Sequence, residues 1–158
     1  MTDRRARVAA FVLAGGLVAG TLDILYAWLF WMLKAGVPMQ RILQSVASGL
    51  LGDSSFAGGS ATAALGFALH YLIATTMSVT YYLVARRWSL LVRHPSLCGA
   101  GYGLLLYGIM NYIVVPLSAA GAGATDRLWT TLTIVVHIVL IGIPIALATS
   151  RASRLTPS

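Results

Sequence analysis

Glutamate is absent from this sequence, all four acidic residues are aspartates, and cysteine occurs once, as Cys98. A lone cysteine excludes an intrachain disulfide and any cysteine-built metal or redox motif, so Cys98 reads as a small apolar residue near the start of a helix. The chain also lacks a serine nucleophile elbow, a phosphate-binding Walker loop and a dinucleotide fingerprint. These absences remove most hydrolase and nucleotide-dependent chemistries, and a non-enzymatic protein is the expectation.

Charge is scarce as well. Only 9% of the 158 residues are charged and 58% are hydrophobic, with a mean hydropathy of +0.83. A soluble domain carries about 25% charged residues to keep its surface wetted. Several apolar stretches exceed the roughly 18 residues that mark a spanning helix, so the expected fold is all-α: one integral membrane domain over residues 1–158, built as a transmembrane four-helix bundle. The spans are predicted at about 8–33, 61–85, 97–115 and 128–149. Between the first two lies a short helix, about 38–51, with Met39, Ile42, Leu43, Val46 and Leu50 on one face and Gln40, Arg41, Gln44, Ser45 and Ser48 on the other. That pattern predicts an amphipathic interfacial helix started by Pro38 and stopped by Gly52, acting as an anchor or as a lid. Asp53 to Ser60 reads as a loop, and so does the run Ser118-Ala119-Ala120-Gly121-Ala122-Gly123-Ala124.

The net charge of +7 would suggest nucleic acid in a soluble protein. Here the basic residues flank apolar runs in alternate loops, the pattern of anchors facing anionic lipid, which excludes nucleic acid as a partner. Arg4, Arg5, Arg7, Arg86, Arg87, Arg93, Arg151 and Arg154 lie on one side, against Lys34, Arg41 and Arg127 on the other. By the positive-inside rule both termini are cytoplasmic. Trp28, Trp31 and Lys34 fall where an outer interfacial belt belongs.

In lipid, helices associate through close backbone approach and interhelical hydrogen bonds. Candidate seams are Gly16, Gly20, Asp23 and Ala27 on span one, and His70, Ala74, Met77 and Tyr81 on span two. Span three offers Gly99, Gly101, Gly103, Gly108 and Asn111, and span four offers Thr130, Thr133 and His137. At 1.5 Å per residue, Asp23, His70 and His137 should lie roughly 13 to 15 Å below the outer helix ends, with Asn111 nearer the surface.

An ionisable group at that depth costs roughly 2.5–3.5 kcal/mol, which makes it a functional-site candidate. The bland alternative is glue that fixes helix register, with Asp23 protonated or paired with a histidine. Three site readings compete. His70 and His137 could ligate a b-type haem in an electron-transfer protein, with glycines of spans one and three making room for the macrocycle. The same pair with Asp23 could hold a divalent metal such as iron or zinc. Or the three could bind and transport a proton or small solute, with Tyr26, Tyr107 and the Thr75, Thr76, Ser78, Thr80 series lining a path. From another class comes a structural or accessory subunit whose seams recruit a second copy or another membrane protein.

The segments Ile42 to Gly52, Ala61 to His70 and Met110 to Ser118 together resemble a family of uncharacterised small bacterial inner-membrane proteins of about four spans. The resemblance runs from span one through the end of span three. It implies a bacterial cytoplasmic membrane and carries no activity or ligand with it.

Overall fold

The computed structural model describes residues 2–121 and 126–155. Among them it is all-helical, without strands. Four helices are long and apolar enough to cross a membrane: α1 (Asp3–Ala35), α3 (Gly59–Ala85), α5 (Pro95–Leu117) and α6 (Arg127–Arg154). They form spans one to four. Between the first two lie α2 (Met39–Leu51) and a 3-10 turn, Gly52–Ala57, where the sequence had suggested only loop. The short α4 (Leu90–Arg93) joins spans two and three. Of the glycine- and alanine-rich run after span three, Ala122, Gly123 and Ala124 lie outside the described residues.

Span three runs past Pro116, which was expected to end it, and span four runs to Arg154, five residues beyond its expected end. The helix continues through Pro116 to Leu117, and Pro144 sits inside span four. A proline ring collides with the carbonyl four residues back, here that of Tyr112 or Leu140. A widened π turn precedes each ring, Met110–Val114 before Pro116 and His137–Gly142 before Pro144, which lets the chain pass the ring while staying helical. Span four starts on a cap invisible to hydropathy: the Trp129 N–H donates to the Asp126 carboxylate at 2.7 Å, the usual stabilisation of a first helical turn.

Spans one and four are the inner pair. In their most apolar stretches 39% and 44% of residues are buried, against 22% and 17% in spans two and three; the outer two therefore present most of their surface outward. Gly16 lies against Thr75 and Gly20 against Ala74 on span two, while Gly15 faces Ala148 on span four. The tightest crossing joins spans three and four. A methyl on Gly103 would overlap the His137 carbonyl oxygen, and one on Gly142 the Gly99 carbonyl oxygen. The span-three seam is accordingly Gly99 and Gly103 alone. Gly101 and Gly108 have nothing within 4 Å, since helical periodicity puts them off the face that meets span four.

Polar ties replace the hydrophobic drive that lipid removes. The fully buried Ser78 donates to the Val12 carbonyl at 2.7 Å, and Tyr102 to the Met77 carbonyl at 2.8 Å. Arg4 donates through Nε to the Leu155 carbonyl, and Val8 and Val12 pack on Ala152, so both termini lie at the same end of the bundle.

Helix α2 seats on span two in a way its polarity pattern did not predict. Gln44 and Ser48, assigned to the polar face, are buried, whereas Leu50 is 64% exposed. The cause is local. Gln44 donates through Nε2 to the Gly59 carbonyl at 3.0 Å and to Thr62 at 3.3 Å, and the bare face of Gly66 admits the Leu43 carbonyl. At the far end of α2, the Ala119 N–H donates to the Gly49 carbonyl at 3.0 Å, so the helix also touches the end of span three.

Candidate functional site

Asp23 lies twelve residues inside the end of span one, His70 eleven inside span two and His137 ten inside span four. At 1.5 Å per residue these are depths of about 15 to 18 Å from the same end of the bundle. Three helices thus bring one carboxylate and two imidazoles to one level. Both imidazoles lie within electrostatic reach of the Asp23 carboxylate. Among the described residues, however, Asp23 forms no direct hydrogen bond or ion pair with either ring.

Each imidazole is oriented by a backbone carbonyl. His70 donates through Nε2 to the Gly20 carbonyl at 2.8 Å, three residues before Asp23 on the same helix, which reserves Nδ1 as its lone-pair nitrogen. His137 donates through Nδ1 to the Thr133 carbonyl at 2.9 Å and keeps the lone pair on Nε2. His137 is buried, opens the π turn of span four, and meets the edge of the buried Tyr107 ring with centroids 5.6 Å apart. A π turn displaces a side chain from the register a regular helix would give it.

Above this layer, toward the α2 end, sits an aromatic group. The Tyr26 hydroxyl shares a hydrogen bond with Thr133 Oγ1 at 3.2 Å, and the Tyr26 ring stacks on Trp129 at 5.3 Å. Phe30 and Trp31 close on Trp129 at 5.0 and 5.5 Å. Lys34 lies over both rings and pairs with Asp126. Trp31 and Lys34, expected in an outer belt, also tie span one to span four. Thr133, a seam residue beside His137, joins the site: its hydroxyl meets Tyr26 while its carbonyl orients His137. Its four-residue spacing from His137 is what placed both on one seam in the sequence.

Asn111 does not join the group. It is exposed, lies in the Met110–Val114 π turn, and its amide donates back to the Tyr107 carbonyl at 3.0 Å within its own span. The expected hydroxyl path along span two also divides. Ser78 faces inward to Val12, while Thr76 is exposed and bonds back to Leu72 at 2.8 Å, and Thr80 is exposed too.

Of the glycines expected to make room for a haem, Gly16 and Gly20 pack on span two and Gly99 and Gly103 on span four, while Gly101 and Gly108 have nothing within 4 Å. His70 also commits Nε2 to Gly20. Among the described residues no group of three His, Cys, Asp or Glu side chains is arranged to hold a metal ion.

Fold and site define the class: a helical bundle with four helices able to cross a membrane, as in a multi-pass membrane protein, and an ionisable triad at one level inside it. No protein-family model, no curated protein and no solved structure matches the chain.

Proposed function

We propose that the protein binds and transports a proton or a small protonatable solute at the Asp23, His70 and His137 layer of a bacterial cytoplasmic membrane. The carrying observation is that three helices bring one carboxylate and two imidazoles to one level, each ring held by a backbone carbonyl and neither bonded to Asp23. A group placed only to glue helices would be closed into a hydrogen bond, as Ser78 is with Val12. Asp23 is not locked in this way, and the carbonyl bond of each histidine leaves its other ring nitrogen unengaged. Such a group can exchange protons without breaking the fold. Tyr26, Thr133 and Tyr107 supply hydroxyls and ring edges on the approach from the α2 end.

In this reading the termini face the cytoplasm, in keeping with eight basic residues near that end, and α2 lies in the opposite interface. The resemblance to small four-span inner-membrane proteins supports the same assignment. The test is reconstitution into liposomes holding a pH-sensitive dye under a potassium gradient with valinomycin. Proton flux in the wild type, lost in Asp23→Asn at unchanged melting temperature, is the expected result. No wild-type flux of protons or of added amine and carboxylate probes would defeat the proposal.

A second reading, an accessory subunit, is favoured by one observation. Gly101 and Gly108, with nothing within 4 Å, stand with the exposed Leu104, Leu105 and Tyr112 on the outward surface of span three, where another transmembrane helix could approach closely. It gains if Asp23→Asn abolishes assembly and Gly101→Leu breaks a self-association seen by cross-linking.

A further inference from the structure

At the end of the bundle that holds both termini, residues of spans one and two line a groove of about 1230 Å³. Its mouth carries Arg4, Arg5, Arg86, Arg87 and Arg93, and its lining contains no acidic residue. Arg4 donates to the Leu155 carbonyl. Among the described residues, none of these arginines forms an ion pair with an aspartate. The net positive charge of the chain is therefore concentrated in one concave place as well as spread along a membrane surface.

Both walls grade from charge to hydrocarbon over two helical turns. On span one, Arg4 and Arg5 are followed a turn later by Val8 and Ala9, and a further turn on by Val12 and Leu13. On span two, Arg86 and Arg87 are preceded by Tyr82 and Leu83, and these by Val79. Leu13, Val79 and Leu83 are 44%, 36% and 52% exposed, so the lower wall offers open apolar surface. A free anion would use the arginines and ignore this wall. A molecule with a phosphate at one end and acyl chains at the other matches both, since guanidinium forks bind phosphate oxygens with charge-assisted hydrogen bonds and the chains cover the exposed aliphatic side chains.

We infer that this groove is a binding site for an anionic phospholipid, its headgroup phosphate held by Arg86, Arg87 and Arg93 with Arg4 and Arg5 opposite, and its acyl chains laid along Leu13, Val79 and Leu83. A lipid seated there bridges the outward ends of spans one and two.

The experiment is native mass spectrometry of the purified full chain in a neutral detergent, titrated in turn with phosphatidylglycerol, phosphatidylcholine and inorganic phosphate. Wild-type protein is expected to retain one phosphatidylglycerol at least about tenfold more tightly than phosphatidylcholine, and to lose that preference in the R86Q/R87Q/R93Q variant. The R151Q/R154Q variant removes charge at the same end but outside the groove, and should keep the preference. Equal retention of the two lipids by wild type, equal loss in both variants, or full displacement of phosphatidylglycerol by millimolar phosphate would each overturn the site. The wild-type comparison stands even if the triple variant does not fold.

Discussion

His70 donates a hydrogen bond across the span one to span two interface to the carbonyl of Gly20, at 2.8 Å. That carbonyl already serves the α-helical ladder of span one, so the histidine is not needed to satisfy it. His70→Leu should therefore cost only about 0.6 kcal/mol, the average for an interhelical hydrogen bond in a membrane, while abolishing flux in liposomes. Unfolding in mixed micelles reads the first quantity. A loss above about 2 kcal/mol, beyond the measured ceiling for such bonds, would make His70 a structural residue first.

The span three to span four crossing predicts a sharp contrast between neighbouring glycines. Gly103→Ala drives a methyl into the His137 carbonyl and Gly142→Ala drives one into the Gly99 carbonyl. Each should destabilise by about 1–3 kcal/mol, as overpacking does. Gly101→Ala and Gly108→Ala meet open space and should stay within about 0.5 kcal/mol of wild type. Melting temperatures of the four variants check this; indistinguishable values would place the crossing elsewhere.

The pairing of Lys34 with Asp126 predicts a dependence on acid and salt. The Lys34 hydrogen bond, followed by that of the Trp129 N–H, holds the Asp126 carboxyl below its ordinary 3.8. A lowered folded-state value means the contribution is fully present above 3.8 and fades as the pH falls through the lowered value. The two side chains are 41% and 28% exposed, so molar salt should weaken the pair at neutral pH by screening. Trp129 fluorescence reports the change, and Asp126→Asn should keep its position while losing this acid-sensitive component. A fluorescence signal that responds to neither acid nor salt would mean the pair does not link the two spans.

Pro144 predicts an effect at a distance. Pro144→Ala lets span four close a regular ladder through Leu140, removing the need for the π turn that begins at His137. Losing one residue from a helical turn rotates what lies beyond it by about 100°, which would turn His137 away from Asp23 and Tyr107. The expected outcome is reduced proton flux with every site residue intact. Undiminished flux would show that the π turn does not set the register of His137.

Much of the architecture was legible because lipid imposes a simple local rule. Each apolar run long enough to cross the bilayer satisfies its backbone as a helix, and four such runs give four membrane-capable helices. The level of Asp23, His70 and His137 followed from counting residues at a fixed rise. Which glycines of span three face a neighbour did not follow: Gly99 and Gly103 pack, Gly101 and Gly108 do not. Nor did the burial of Gln44, which depends on a carbonyl fifteen residues away.

What the sequence by itself determined is the number of membrane-capable helices, the end of the bundle richest in arginine and the depth of the ionisable residues, since these depend on one helix at a time. What only tertiary structure decided is facing: the inner pairing of spans one and four, the outward turn of Asn111, the union of Tyr26 with Thr133 and the arginine-rimmed groove. In water a polar face marks the outside of a helix. In lipid both faces are apolar, so periodicity carries little record of which one meets a partner, and two prolines shift the register again through π turns that hydropathy does not register.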